Sequence, residues 1–525
     1  MTKRRIALVQ PHIAAGSSLG IEKSPESIQS LAGQLKREGH KVQMYHEKAD
    51  DRLYQDLAQF SPDYVALSTM TANFPEGKKV AREVKNMKRS TPVFLGGWHA
   101  SGGVISYIRG QENETLGEIL NTESPFDYVG AGEGELLLPE MIRRLEAGQL
   151  LDDLKGVGYL KNGTIKASVS ERIRDLDALA DPDWDGLDVT KYRDKRTGAL
   201  DLSVHFNRAC RFLCGFCPTA SIYGKGVSSF SPERSVEYMA FLLDKFGPQV
   251  LTFTDEDFFA NPKWVERLVQ LMNQYEFNQQ YGVQFDTFAS VNDLYKLEKN
   301  DRGDFLDDMK NTGFGSFTMG VESLRAQILR KYNKELMILP MMTSEEKEIY
   351  RHADVDIQDR MLVSIYSDRV QRAVNFAHKH RLLVVGDYIV GNPDETEEQT
   401  REGFTRFSGM NNLYVAYIPV YTPFPGTDLW KEAYDSGKLK RDKEGNIDWA
   451  SFDASKGALD LDYDVKGLRD RLEIEFYTSD RYQADMRQEL SFNPESIGMF
   501  KGRFNYLNNL FPGNTVVEET VRYLE

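Results

Sequence analysis

The segment NRACRFLCGFCPTA, residues 207–220, contains every cysteine of the 525-residue chain, with Cys210, Cys214 and Cys217 spaced as C-x3-C-x2-C. A structural zinc site needs four ligands, and the chain has no fourth cysteine. The odd count and a reducing compartment disfavour disulfides. Three thiolates from one loop suit a [4Fe–4S] cluster whose fourth iron stays open to an external ligand. The alternative, three cysteines acting as small buried hydrophobes, is disfavoured by their clustering.

The composition is that of a globular protein, with 41% hydrophobic and 28% charged residues. The length exceeds what one core usually serves, which predicts two or three domains. A net charge of −15 and the lack of any basic stripe argue against nucleic acid. The first apolar run is interrupted at Gln10 and Pro11, so it predicts a strand and not a secretion signal. No run approaches the roughly 18 apolar residues of a membrane span, and a cytoplasmic location is expected.

Residues 1–150 alternate short apolar runs with amphipathic helical patterns, which predicts a doubly wound, Rossmann-like α/β domain. Helix signals follow the first strand, where Ser24 is a candidate N-cap and Gly39 a candidate end. A second helix should bury Val80, Val84 and Met87. The predicted strands cover residues 6–9, 42–45, 64–68, 93–95 and 128–130.

Four loops follow the carboxyl ends of these strands, at residues 10–16, 68–73, 96–101 and 130–135. Ligands of doubly wound sheets bind at this edge. Three of the loops are rich in Gly, Ser or Thr, which lets the backbone approach a ligand closely. Each loop alone could be only a tight turn, but together they favour a ligand site.

The cysteine spacing resembles the signature of radical S-adenosylmethionine (SAM) enzymes, in which SAM chelates the open iron. The resemblance implies a partial (βα)6 TIM-type barrel over residues 201–430. Six apolar runs separated by helical patterns follow in the required order, at residues 202–206, 250–254, 283–287, 316–320, 382–390 and 414–420.

The resemblance also implies roles for residues at the strand ends. The acidic group of TDEDFF would meet the SAM amino group, the glutamate of GVES the ribose hydroxyls, and the glycine strand GDYIVGNPDET the adenine. Singly, Glu322 could be a solvated or capping carboxylate and Gly391 a turn residue. PVYTPFPGT is similar to the P-x-P-G-T ending of one large subgroup. The predicted SAM-binding residues are Phe216, Asp255, Glu256, Asp257, Glu322, Val390 and Gly391.

The N-terminal loops resemble those of the cobalamin-binding domains that precede the barrel in one radical SAM branch. Ser68-Thr69-Met70 is similar to the S-x-L element, and Gly96-Gly97 to the pair that makes room for the nucleotide tail. The D-x-H-x-x-G motif is incomplete around His12, which implies cobalt without a lower histidine ligand; taken alone, His12 is a loop histidine. The predicted cobalamin-binding residues are His12, Ser68, Thr69, Met70, Gly96, Gly97, Trp98, His99, Gly130, Gly132 and Glu133.

The remaining segments are assigned by position. Residues 151–200 are expected to be a connector with an Asn162-Gly163 hairpin signal, and residues 431–525 a mainly helical region. The stretch 331–370 is longer than a crossover needs and could be a lid, a partner surface or a solvated helical excursion. The two strand edges are expected to face each other across a substrate cavity, with His205, Phe206, Tyr417 and Trp98 beside it.

The resemblance implies a class B methylase-like enzyme that uses a [4Fe–4S] cluster, SAM and cobalamin. Such an enzyme abstracts hydrogen from an unactivated carbon, or acts at phosphorus, of a small or peptide-derived substrate, and transfers methyl from methylcobalamin. It would need an electron donor such as flavodoxin or ferredoxin. One alternative is a cyclase or ring rearrangement that uses both cofactors without methyl transfer. Another is a cobalamin sensor or carrier, which the intact cysteines and Glu322 disfavour.

Overall fold

Two parallel-stranded sheets organise the chain. The computed structural model describes residues 3–12, 23–194 and 197–525. The first sheet has the order β2-β1-β3-β4-β5-β6-β7, with β1 to β5 parallel and β6 and β7 antiparallel. Its strands are β1 (Arg5–Val9), β2 (Lys41–Tyr45), β3 (Tyr64–Ser68), β4 (Val93–Gly96), β5 (Tyr128–Gly130), β6 (Val157–Lys161) and β7 (Thr164–Ala167). Its helices are α1 (Glu26–Arg37), α2 (Asp51–Phe60), α3 (Phe74–Met87), α4 (Trp98–Ile108), α5 (Glu114–Ile119) and α6 (Leu137–Glu146).

The second sheet is a six-stranded, all-parallel partial barrel in the order β15-β14-β13-β12-β11-β8. Its strands, with the small antiparallel pair β9 and β10, are β8 (Asp201–Val204), β9 (Asn207–Arg208), β10 (Ser228–Ser229), β11 (Val250–Phe253), β12 (Gln284–Ala289), β13 (Phe314–Glu322), β14 (Leu383–Tyr388) and β15 (Val415–Tyr417).

Helices connect the barrel strands and continue to the C-terminal end of the chain. Those of the barrel are α7 (Pro218–Tyr223), α8 (Pro232–Phe246), α9 (Pro262–Gln274), α10 (Phe277–Tyr281), α11 (Val291–Lys299), α12 (Gly303–Thr312), α13 (Ala326–Lys331), α14 (Glu335–Ile338), α15 (Ser344–His352), α16 (Val355–Lys379) and α17 (Glu397–Ser408). The last five are α18 (Asp428–Asp435), α19 (Val465–Thr478), α20 (Asp480–Phe492), α21 (Ile497–Leu510) and α22 (Thr515–Leu524). Short 3-10 turns occur at Val189–Tyr192, Phe258–Ala260, Leu339–Met341, Trp449–Ser451 and Pro494–Ser496.

The predicted fold class is confirmed: a doubly wound α/β domain, a parallel partial barrel and a helical C-terminal region follow one another. The hairpin signal also folds as expected. Asn162 (φ 51°) and Gly163 (φ 75°) form the two-residue turn between β6 and β7. This hairpin pairs with β5, so the first sheet continues past residue 150 into the expected connector.

Two local expectations about helices were wrong. The N-cap of α1 is Pro25, and the hydroxyl of Ser24 instead accepts a hydrogen bond from the Ser203 backbone in the barrel (3.4 Å). Met87 is 40% exposed at the end of α3, where the apolar face no longer lies over the sheet, whereas Val80 and Val84 are buried.

The stretch 331–370 is less of an insertion than its length suggested. Most of its second half belongs to α16, the 25-residue helix that leads to β14 and packs against α11. Only α14, α15 and the turn between them are additional to a plain strand–helix–strand crossover.

The two α/β units are docked through α4 and the loop after the last barrel strand. A Cβ on Gly102 would overlap the carbonyl oxygen of Pro425, so glycine is required for this approach. Ser106 accepts a hydrogen bond from the Gly426 backbone (3.1 Å), and the Trp430 indole donates to Glu112 (3.2 Å). The P-x-P-G-T ending therefore serves as the docking point between the domains.

Candidate cofactor and active site

A cavity of about 410 Å³ lies between the carboxyl ends of the two sheets. Loops after β3, β4 and β5 form one wall, and the ends of β8 and β11 form the other. Apolar side chains form much of its wall, among them Leu67, Phe94, Leu137, Leu138 and Met141. A single cavity therefore contacts both ligand-binding edges of the molecule.

Gly97 brings two of the cavity loops together. Its φ is +89°, and a Cβ would lie 2.6 Å from Thr69 O and 2.7 Å from Thr69 N. A Cβ on the neighbouring Gly96 would meet atoms only at ordinary contact distances, 3.6 Å and beyond. Both glycines line the cavity, where the pair is predicted to make room for the nucleotide tail of cobalamin. Gly97 also allows the loops after β3 and β4 to pack directly.

Nine of the eleven predicted cobalamin contacts line the cavity: Ser68, Thr69, Met70, Gly96, Gly97, Trp98, Gly130, Gly132 and Glu133. His99 does not, since its ring is fully buried between Phe74 (ring centroids 4.2 Å apart) and Trp449 (4.7 Å). Burial lowers the pKa of His99 to about 3, so it is a neutral core residue.

His12 also lies off the cavity, with Nε2 2.9 Å from the His46 carbonyl oxygen. Residues 13–16 of its predicted loop lie outside the described residues.

The cysteine loop begins at a strained backbone position. Ala209 has φ +72°, a left-handed conformation that is costly for a residue with a Cβ. Its N–H donates to Glu256 (3.1 Å), which holds this conformation just before Cys210. Further along, the Gly215 N–H donates to the carbonyl of Tyr332 (3.2 Å), and Cys217 is the N-cap residue of α7. The loop is therefore anchored at its start, middle and end.

The three cysteines are free and partly buried. Burial raises the pKa of each thiol, that of Cys214 to about 11. Within the described part of the chain, no three His, Cys, Asp or Glu side chains converge tightly enough to hold a single metal ion. A cubane cluster instead takes each thiolate on a different iron, which requires separated sulfur atoms from one loop. The three thiols of this loop therefore fit the donor set of a three-cysteine iron–sulfur cluster.

Three successive acidic residues follow β11, and each contacts a different group. Asp255 is fully buried and accepts hydrogen bonds from the backbone of Phe206 (2.6 Å) and Asn207 (2.7 Å). Burial raises the pKa of Asp255 to about 6. Asp257 binds Arg211 (2.7 Å) inside the cysteine loop. Of the three predicted SAM contacts in this loop, only Glu256 lines the cavity.

His205 lies between carboxylates from both domains. Its Nε2 is 3.1 Å from Glu256, and its Nδ1 is 3.6 Å from Glu26, the first residue of α1. Thr254 also donates to Glu26 (2.9 Å). Sequence reasoning missed Glu26, because an acidic residue in the first turn of a helix is ordinary and carries no other signal.

Four predicted SAM contacts outside the acidic loop do not line this cavity: Phe216, Glu322, Val390 and Gly391. Glu322 ends β13 with φ +69°, and its carboxylate is 3.4 Å from the buried Lys334 ammonium. Val390 is fully buried, and a Cβ on Gly391 would overlap Val465 of α19. The Phe216 ring packs on Tyr332 (centroids 4.9 Å apart). Trp98, His205 and Phe206 line the cavity, but Tyr417 is not among its lining residues.

Comparison with known proteins identifies both domains. The model of the B12 binding domain matches residues 15–142, and that of the radical SAM superfamily matches residues 204–404. An uncharacterized methyltransferase of Pyrococcus horikoshii is 27% identical over 447 residues, which cover 84% of this chain and 85% of that protein.

No helix in the described part of the chain has the length and apolar character to cross a membrane.

Two solved structures share the fold. The radical SAM methyltransferase TsrM from Kitasatospora setae, solved with tryptophan substrate and a SAM analogue, aligns with a TM-score of 0.59 at 14% identity, covering 94% of this chain and all of that chain. The cobalamin-dependent SAM radical enzyme OxsB, solved with aqua-cobalamin and SAM, aligns with a TM-score of 0.60 at 15% identity, covering 99% of this chain and 75% of that chain.

Proposed function

We propose that this chain, a cobalamin-dependent radical SAM enzyme, methylates an unactivated carbon, or a phosphorus, of a small-molecule or peptide-derived substrate. The observation that carries the proposal is the shared cavity, whose walls come from the B12-binding loops on one side and the barrel strand ends on the other. A methyl donor and a radical generator must both reach one substrate atom, and a cavity lined by both domains would allow this. The similarity to the Pyrococcus methyltransferase supports the same reaction class.

When bound, cobalamin supplies methyl-transfer chemistry and the cluster with SAM supplies a carbon-centred radical. The residues of this chain hold and shield these groups. Cys210, Cys214 and Cys217 would ligate the cluster, and the loops joined at Gly97 would hold the corrinoid. Glu256 reaches from the root of the cysteine loop into the cavity, where it can accept a hydrogen bond from a SAM amino group. The largely apolar wall would exclude water from the reacting atoms.

The substrate is expected beside Trp98, His205 and Phe206. These three side chains line the cavity from both domains, which supports a substrate position beside them. Phe206 also packs on Phe230, Tyr238 and Phe253, so its ring is rigidly supported. One-electron reduction of the cluster in the cytoplasm would come from a donor such as flavodoxin or ferredoxin.

Product analysis tests this proposal. Anaerobic protein loaded with iron, sulfide and hydroxocobalamin would be incubated with dithionite, CD3-labelled SAM and a deproteinised extract of the source cells. S-adenosylhomocysteine, 5′-deoxyadenosine and a CD3-bearing compound, formed together, are expected. Formation of 5′-deoxyadenosine without S-adenosylhomocysteine or any CD3-bearing compound would overturn methyl transfer and favour a cyclisation or rearrangement.

A further inference from the structure

Arg208 forms a buried ion-pair cluster between the two domains. Its guanidinium nitrogens lie 2.9 Å from Glu133 and 2.7 Å from Glu135. The three side chains are at most 10% exposed. The second carboxylate oxygen of Glu133 accepts a hydrogen bond from the backbone of Ile173 (2.6 Å). Glu133 is also one of the predicted cobalamin contacts, and each of its carboxylate oxygens accepts a hydrogen bond from a protein group.

The two ends of this cluster are each one or two residues from a cofactor site. Glu133 directly follows Gly132, whose N–H is held by Ser101 (3.0 Å) in the wall of the cavity. Arg208 is followed by the strained Ala209 and then by Cys210. A displacement of loop 130–135 would therefore be transmitted through Arg208 to the backbone just before Cys210.

The chemistry of the cluster makes this link stiff. A guanidinium group presents a planar fork that fixes two acceptors in direction as well as distance. Burial excludes water that could replace either contact, and loss of Arg208 would leave two carboxylates in the interior without the cation that they share. The two loops are consequently held in a single relative placement.

We propose that Arg208 is a positioning residue that links the cobalamin-side loop 130–135 to the cysteine loop. Corrinoid binding at loop 130–135 then restricts the backbone around Cys210. By linkage, occupancy of the cluster and SAM site affects corrinoid affinity to the same extent. This inference rests on the presence of both cofactor sites and does not depend on whether a methyl group is transferred.

Hydrogen exchange on the full-length, cluster-loaded protein tests the proposal, with hydroxocobalamin as the probe. In the wild type, hydroxocobalamin is expected to slow amide exchange in residues 207–217 at least threefold. Arg208→Gln should remove this response. Because that variant leaves two buried carboxylates without a cation and could fail to fold, Arg208→Lys provides the second test. Lysine retains the charge but lacks the planar fork that fixes both acceptors in direction, and we expect it to fold, bind hydroxocobalamin and lose at least half of the response.

Arg503→Lys is the matched control. Arg503 of α21 is also a buried arginine paired with a buried glutamate, Glu473, and it is not among the residues that line the cavity. It should keep the full response. An unchanged response in folded Arg208→Lys, or no response in the wild type despite bound hydroxocobalamin, would overturn the proposal. Neither result would affect the CD3-transfer assay, so failure of this inference and failure of the methylase assignment remain distinguishable.

Discussion

Glu26 of the B12-binding domain lies 3.6 Å from the Nδ1 atom of His205 in the radical SAM barrel. Helix α1 thus places a carboxylate from one domain against an imidazole of the other, inside the cavity that both domains line. Burial opposes the charged imidazole, but Glu256 and Glu26 together raise the pKa of His205 well above its usual value. Both carboxylates therefore favour the protonated form of this histidine, which lies between the two domains.

Replacement of Glu26 should weaken this contact in a pH-dependent way. A raised histidine pKa stabilises the folded state fully below its unfolded value of about 6.5, and the contribution is lost as pH rises through the folded pKa. Glu26→Gln should lower the pKa of His205 and cost about 1 kcal/mol of unfolding free energy at pH 6. Thermal unfolding between pH 5.5 and 9 would measure the loss, and Glu398→Gln, at an exposed position in α17, is the control.

Loss of one cluster thiol should abolish cluster assembly. Wild-type protein reconstituted anaerobically is expected to hold about four irons per chain. Cys214→Ala leaves two thiolates in the loop and no other cysteine in the chain to replace it. Iron content and the absorbance of the iron–sulfur chromophore should fall to background, and SAM cleavage should stop. Retention of a SAM-cleaving cluster by this variant would contradict the assignment of the three cysteines.

The two neighbouring glycines after β4 should differ sharply in their tolerance of a methyl group. Gly97→Ala places a Cβ 2.6 Å from the Thr69 carbonyl and imposes a left-handed φ on a residue with a side chain. We expect a cost of about 2 kcal/mol and at least tenfold weaker hydroxocobalamin binding, measured by absorbance titration. Gly96→Ala should bind nearly as the wild type does, because its Cβ meets only ordinary contacts. Equal effects of the two changes would be inconsistent with this geometry.

Relief of the strain at Ala209 should stabilise the protein. Glycine adopts φ +72° without steric cost, so Ala209→Gly should increase the unfolding free energy by about 1 kcal/mol. The same change at Ala240, inside helix α8, should decrease it by a similar amount. Thermal melts of the two variants should therefore shift in opposite directions. A downward shift in both would show that Ala209 makes contacts worth more than its strain.

Much of the fold follows from local sequence patterns. The positions of β1 to β5 differ from expectation by at most one residue at either end, because short apolar runs bounded by turn residues are a local signal. The Asn162-Gly163 turn is similarly local. Its pairing with β5 is not, because edge partners are chosen by the tertiary packing around them.

The sequence predicted the candidate site only in part. The sequence TDEDFF does not distinguish the roles of its three acidic residues. In the structure, Asp255 accepts hydrogen bonds from the backbone, Glu256 reaches the cavity and Asp257 binds Arg211. Successive side chains leave a chain in different directions, so adjacency in sequence does not mean a shared contact. His99 illustrates the same limit, since only the packing of Phe74 and Trp449 around it decides that it is a core residue.

The sequence by itself determined the cofactor chemistry, because three thiols within eight positions and the glycine-bearing loops are encoded in short segments. Only the tertiary structure decided how the two domains that line the cavity meet. The contacts that join them pair residues far apart along the chain: Glu26 with His205, Glu133 and Glu135 with Arg208, and Gly102 with Pro425. Each depends on the relative orientation of two separately packed domains, a property of their buried interface that no local pattern of residues specifies.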